Sequence, residues 1–149
     1  MKKIETEEEA IQALRLYNEE AINENPFLTE GIGKEYQEEF FQQQLKFKDA
    51  IVTDKISSCL IDLRSKEMVG IVIAVDYMSE LSLGKAAEKK VLPLKIRARA
   101  RLFQLINEGL ISMIPFESKE GFLLKFLYGG MKRACAGQHL FKDMLAIVQ

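Results

Sequence analysis

Two cations followed by a run of small side chains, Lys132-Arg133-Ala134-Cys135-Ala136-Gly137-Gln138, form the segment of this sequence best suited to chemistry. It lies between an apolar run, Phe122 to Tyr128, and a stretch of helical periodicity whose apolar face is Leu140, Phe141, Met144, Leu145 and Val148. Main-chain N–H groups at a helix start lack intrahelical acceptors and sit at the positive end of the helix dipole, so such a turn can receive a phosphate or pyrophosphate. Small side chains let the anion approach the backbone. An ordinary strand-to-helix connection uses the same residue types, so the pattern alone leaves both readings open. Cys135 stands at the expected helix start, where a thiol can be activated, but the nearest base in sequence is His139, four residues on. A packing role for Cys135 and a helix-surface role for His139 are the preferred readings.

Positioning that turn requires elements before and after it. A first helix is signalled by Thr6 and Glu9 at capping-box spacing and by an apolar stripe of Ile11, Leu14, Ala21 and Ile22, ending near Glu24. Pro26 disfavours helical geometry at Asn25, so Asn25-Pro26-Phe27-Leu28 is read as a bend. A second helix is predicted over about Lys34 to Lys48, burying Tyr36, Phe40 and Leu45 with help from Phe41. Cys59 to Leu63 and Met68 to Val75 then form a β-hairpin around Arg64-Ser65-Lys66-Glu67. The second run is almost continuously apolar, which predicts a central strand covered on both faces. Residues 78 to 90 show no clear period. Pro93 suits the first turn of a helix that reaches Asn107 or Glu108, with Leu94, Ala98, Leu102, Leu105 and Ile106 on the core and Gly109 just past the end. Gly121 introduces a strand over Phe122 to Tyr128, which Gly129-Gly130 is expected to end.

With the order of elements set, Lys132 to Leu140 resembles the signature of the GNAT superfamily of N-acetyltransferases, Arg/Gln-x-x-Gly-x-Gly/Ala-x-x-Leu. Lys132 takes the Arg/Gln place, Cys135 and Gly137 the two small-residue places and Leu140 the leucine place. Lysine keeps the charge without the planar fork, and cysteine is small without glycine's backbone freedom. A second register, with Arg133 and Ala136 in the leading places, keeps the arginine and loses the later spacing. The bend at Asn25 to Leu28 and the inserted helix are similar to the arylalkylamine-type branch, in which a Glu stands where this chain has Asn25. An amide cannot act as a general base.

The resemblance implies an α/β (α+β) domain with a mixed central sheet flanked by helices. Residues 1–149 are then one domain, read as incomplete because the further strands and helix of the superfamily follow the motif helix. It implies direct transfer of acetyl from acetyl-CoA to a small amine. The backbone of Lys125, Phe126 and Leu127 would bond the pantetheine arm, and Lys132, Arg133, Ala134, Cys135, Ala136, Gly137 and Gln138 would hold the pyrophosphate. The amine must lose a proton, for which Glu24 and Glu30 are the candidate bases. The competing reading is a noncatalytic α/β binding module that uses the turn for an acyl-CoA or nucleotide, or its surface for a protein.

Composition bounds the rest. At 149 residues and 48% hydrophobic content the chain builds one ordinary core. Net charge is −1, with 12 acidic against 6 basic residues over 1–50 and 10 against 15 thereafter, a balance that suits an anionic small ligand. Lys95, Arg97, Arg99 and Arg101 alternate around their helix instead of forming one basic face, so no nucleic-acid partner is expected. One histidine and two distant cysteines give no metal site and no disulfide framework. No apolar run reaches about 18 residues, and the acidic start is unlike a signal peptide, so a cytoplasmic protein with no membrane partner is expected. An open sheet edge would favour a homo-oligomer.

Overall fold

The computed structural model describes residues 1–24, 36–76, 101–102, 105–106, 108–109, 112–113, 124–135 and 142. In chain order these include β1 (Lys2–Lys3), α1 (Glu7–Glu24), α2 (Gln37–Gln44), a 3-10 turn (Leu45–Phe47), α3 (Lys48–Asp54), β2 (Ser58–Ile61), β3 (Met68–Asp76), β4 (Leu124–Met131) and a second 3-10 turn (Arg133–Cys135). The four strands form one sheet in the order β1-β2-β3-β4, and every neighbouring pair is antiparallel. The fold is therefore of the mixed α+β class.

α1 begins as its sequence dictates. The Glu9 amide donates to Thr6 Oγ1 at 3.2 Å, and the Glu9 carboxylate accepts from the Glu5 amide at 3.0 Å, one residue before the position an ideal capping box uses. Lys2 pairs with the same carboxylate. The Glu5 amide, and then Lys2, hold the Glu9 carboxyl below its ordinary range. The buried face of α1 is broader than the expected stripe. Leu14 is fully buried, Ile11 lies at the margin, and Ala10, Ala13, Leu16, Tyr17 and Asn18 are also buried. The side chains of Ala21 and Ile22 lie outside the described residues, as does the bend at 25–28.

The second helical segment differs from its prediction in both length and face. It runs on to Asp54 through the 3-10 turn at Leu45–Phe47, and Lys55, at φ 56°, ends it in the left-handed region. Phe41, Phe47, Ala50 and Ile51 enter the core, while Tyr36, Phe40 and Leu45 pack at its edge. Phe41, of the expected set, is the one that is buried, and the 3-10 turn, confined to Leu45–Phe47, joins the two α-helical parts so that Phe47, Ala50 and Ile51 follow it into the core.

The hairpin is as predicted in kind. Its turn is tied by Asp62, whose Oδ1 accepts the amides of Arg64 at 2.7 Å and Ser65 at 3.3 Å, so Leu63 leaves the strand and is 81% exposed. Every residue of β3 is buried, on both faces. Ile71, Ile73 and Val75 meet α1 and α3 in one core with Ile4, Leu14 and Ile51.

Two further expectations are corrected. Gly129 and Gly130 do not end β4, because they pair with Val72 and Ile71 and the strand continues to Met131. Neither glycine is needed to turn the chain there, and a side chain at Gly130 would meet open space. Leu102, Leu105 and Ile106, expected in the core, are 57%, 50% and 48% exposed. Gly109 does not cap their helix: it is itself helical, as is Ser112, whose hydroxyl donates to the Gly109 carbonyl at 2.7 Å.

Candidate functional site

β4 delivers the cation-rich turn to the end of the sheet. Its register against β3 slips once: Ile73 pairs with Tyr128 and Ala74 with Phe126, leaving Leu127 as an extra residue on β4. Such a bulge bends its strand and breaks the alternation of side chains. Consecutive residues Leu127 and Tyr128 accordingly both pack against the core that α1 helps to build. The Tyr128 ring lies against that of Tyr17 on α1, with centroids 4.4 Å apart and planes tilted by 34°. Among the described residues, no strand pairs with the other edge of β4.

Beyond Met131 the backbone is anchored before it turns. The Lys132 amide donates to the Val69 carbonyl at 2.8 Å, and the Cys135 amide donates to the Lys132 carbonyl at 2.9 Å, which closes the 3-10 turn. Those two N–H groups are therefore committed within the protein. The Arg133 amide points instead to the carboxylate of Glu20 on α1, at 3.4 Å. The Lys132 ammonium bonds Glu67 Oε2 at 2.9 Å, and that bond, with the nearby charges of Glu67 and Glu20, raises the lysine above its ordinary range. Arg133 and Ala134 are exposed, and Cys135 is half-buried with a free thiol.

Of the residues expected to bind a cofactor, Lys125, Phe126 and Leu127 lie on β4 at the bulge, and Lys132, Arg133, Ala134 and Cys135 form the turn that follows. Ala136, Gly137 and Gln138 lie outside the described residues, as does Glu30. Glu24 is the last residue of α1, and its side chain is likewise outside them. Glu20, Glu67 and Tyr17 join the site although no sequence pattern singled them out. Their partners are more than 60 residues distant, and only the sheet order brings them together. No group of three or more metal-ligating side chains occurs among the described residues.

The arrangement presents a bent strand with one edge open among the described residues, leading into a cationic turn of small side chains. Such a surface can bond an extended ligand along its backbone and hold that ligand's anionic part at the turn. The class that the fold defines is an α+β protein with helices inserted between the first two strands of an antiparallel sheet. No protein-family model, curated protein or solved structure matches the chain. No described helix is long and apolar enough to cross a membrane.

Proposed function

We propose that this chain is the acetyl-CoA-binding part of a GNAT-like N-acetyltransferase that transfers acetyl to a small amine. The observation that carries the reading is the bulge at Leu127, five residues before the cation pair. A strand that must part from its neighbour to take a pantetheine arm needs such a bend, directly upstream of the turn that takes the diphosphate. The element order gives further support: helices, hairpin, insertion, strand and turn follow one another as the resemblance of the Lys132 to Leu140 segment requires. On this reading the β4 backbone orients the pantetheine arm, Lys132 and Arg133 supply charge at the diphosphate, and a carboxylate, Glu24 or Glu30, takes the proton of the attacking amine. Asn25 itself cannot take that proton.

Titration with acetyl-CoA by calorimetry, followed by an acetyl-transfer assay with arylalkylamines and polyamines, tests the proposal. Binding with transfer is the expected result. Gly137→Leu should abolish binding, since on this reading bulk at this position blocks the approach of the diphosphate to the backbone, and melting the variant beside the parent separates a lost site from a lost fold. Binding without transfer to any amine would make the chain a noncatalytic acyl-CoA module. Unaltered affinity in Gly137→Leu would remove the turn from the site.

A further inference from the structure

Two carboxylates of the protein already sit on the donors that an anion would use. Glu20 Oε2 accepts the Arg133 amide at 3.4 Å, and Glu67 Oε2 accepts the Lys132 ammonium at 2.9 Å. They reach the turn from separate elements, α1 and the β2–β3 connection. Neither contact builds the core, because Glu67 is exposed and Glu20 lies at the margin of α1. The Lys132 and Cys135 amides are committed to main-chain carbonyls, so the donors that face a ligand are the Lys132 ammonium and the Arg133 amide, and their attraction for a phosphate acts equally on any carboxylate within reach.

We propose that Glu20 and Glu67 are built-in competitors for the diphosphate, stand-ins for its oxygens that close the turn in the absence of ligand and set its anion selectivity. The inference rests on the reading of the turn as the diphosphate cradle. A diphosphate carries several charges and acceptors and can displace both carboxylates. A singly charged anion gains too little to displace them, so the pair screens out small monoanions while admitting the nucleotide portion of a coenzyme. Each displaced carboxylate returns to water, and its repulsion of the incoming anion opposes binding until it has moved.

The test is calorimetric titration of the full chain with CoA and, separately, with inorganic pyrophosphate at fixed ionic strength. The proteins are the parent, Glu20→Gln, Glu67→Gln, the double variant and Glu67→Asp. Each single Gln substitution should tighten both ligands about two- to fivefold, the scale of one screened charge at close range, and the double variant should tighten them further. Glu67→Asp, which keeps the charge, should stay nearest the parent. Acetate, as a monoanion, should bind the double variant measurably better than the parent. A purely structural role predicts the opposite, a lower melting temperature with equal or weaker binding. If the parent binds CoA and neither Gln variant binds it more tightly, the competition is refuted while the cofactor site stands. If no protein in the series binds CoA or pyrophosphate, the cradle reading fails and takes the competition with it.

Discussion

The side chain of Gln44 lies in the core with 1% of its surface exposed, and neither its amide nitrogen nor its oxygen has a hydrogen-bond partner among the described residues. Its neighbours in line on the helical segment are Phe41 and Phe47, so an amide stands where the packing calls for an apolar group. Burying such a group unpaired costs about 1–3 kcal/mol, whereas a methionine of similar length carries no comparable demand. Gln44→Met should therefore stabilise the fold by about 1–2 kcal/mol, read as a higher urea midpoint at unchanged slope. A lower midpoint would mean that the amide is satisfied. Gln44 was not legible in the sequence, because a polar side chain adds nothing to the apolar periodicity that marks a buried helix face, although it stands three residues after Phe41 on that face. Thr6 and Glu9, by contrast, were legible because a helix cap is a contact between residues three apart.

At the scale of elements, β3 is longer than the partner beside it. β2 pairs only with the part of β3 from Met68 to Val72, and side chains complete the work beyond it. Ser57 Oγ donates to the Ala74 carbonyl at 2.7 Å and accepts the Ala74 amide at 3.1 Å, and Asp54 Oδ2 accepts the Asp76 amide at 2.7 Å. One buried hydroxyl thus satisfies both main-chain polar groups of Ala74 in the central strand. Ser57→Ala orphans the two groups together and should cost about 2–3 kcal/mol, near the upper end for one lost buried partner, with faster amide exchange at Ala74. A loss below about 0.5 kcal/mol would show that other groups or water take its place. The hairpin was legible because two apolar, β-branched runs flank a polar turn, and the burial of β3 followed from its nearly unbroken apolar sequence. The ends of the strands were not. Gly129-Gly130 is a turn signal by composition, yet the paired edge of β3 draws both glycines into the ladder, and Ser57 serves as a partner only once Ala74 lies beside it.

For the whole molecule, the sheet order sets what can meet. α1 returns across the sheet before β2 forms, which brings Tyr17 to Tyr128 and Glu20 to Arg133 although more than 100 residues separate each pair. The turn and its cations were therefore legible as a contiguous motif, while the carboxylates and the aromatic ring that meet it from α1 and the β2–β3 turn were not. The same limit explains the helical residues between 101 and 112. Their apolar periodicity states that one face is suited to burial, but not that the described fold buries it, and Leu102, Leu105 and Ile106 are about half exposed or more. Leu14, at 0% exposure in the core cluster, supplies the contrast. Leu14→Ala should cost about 2–5 kcal/mol through lost burial and a residual cavity, a fall of roughly 5–15 °C in melting temperature for a chain of this size. Leu105→Glu should stay within about 0.5 kcal/mol of the parent, because its carboxylate can remain hydrated and no packed volume is lost. Melting both variants beside the parent decides the matter. A loss at Leu105 that rivals the loss at Leu14 would mean that this face is covered in the folded protein and belongs to its core.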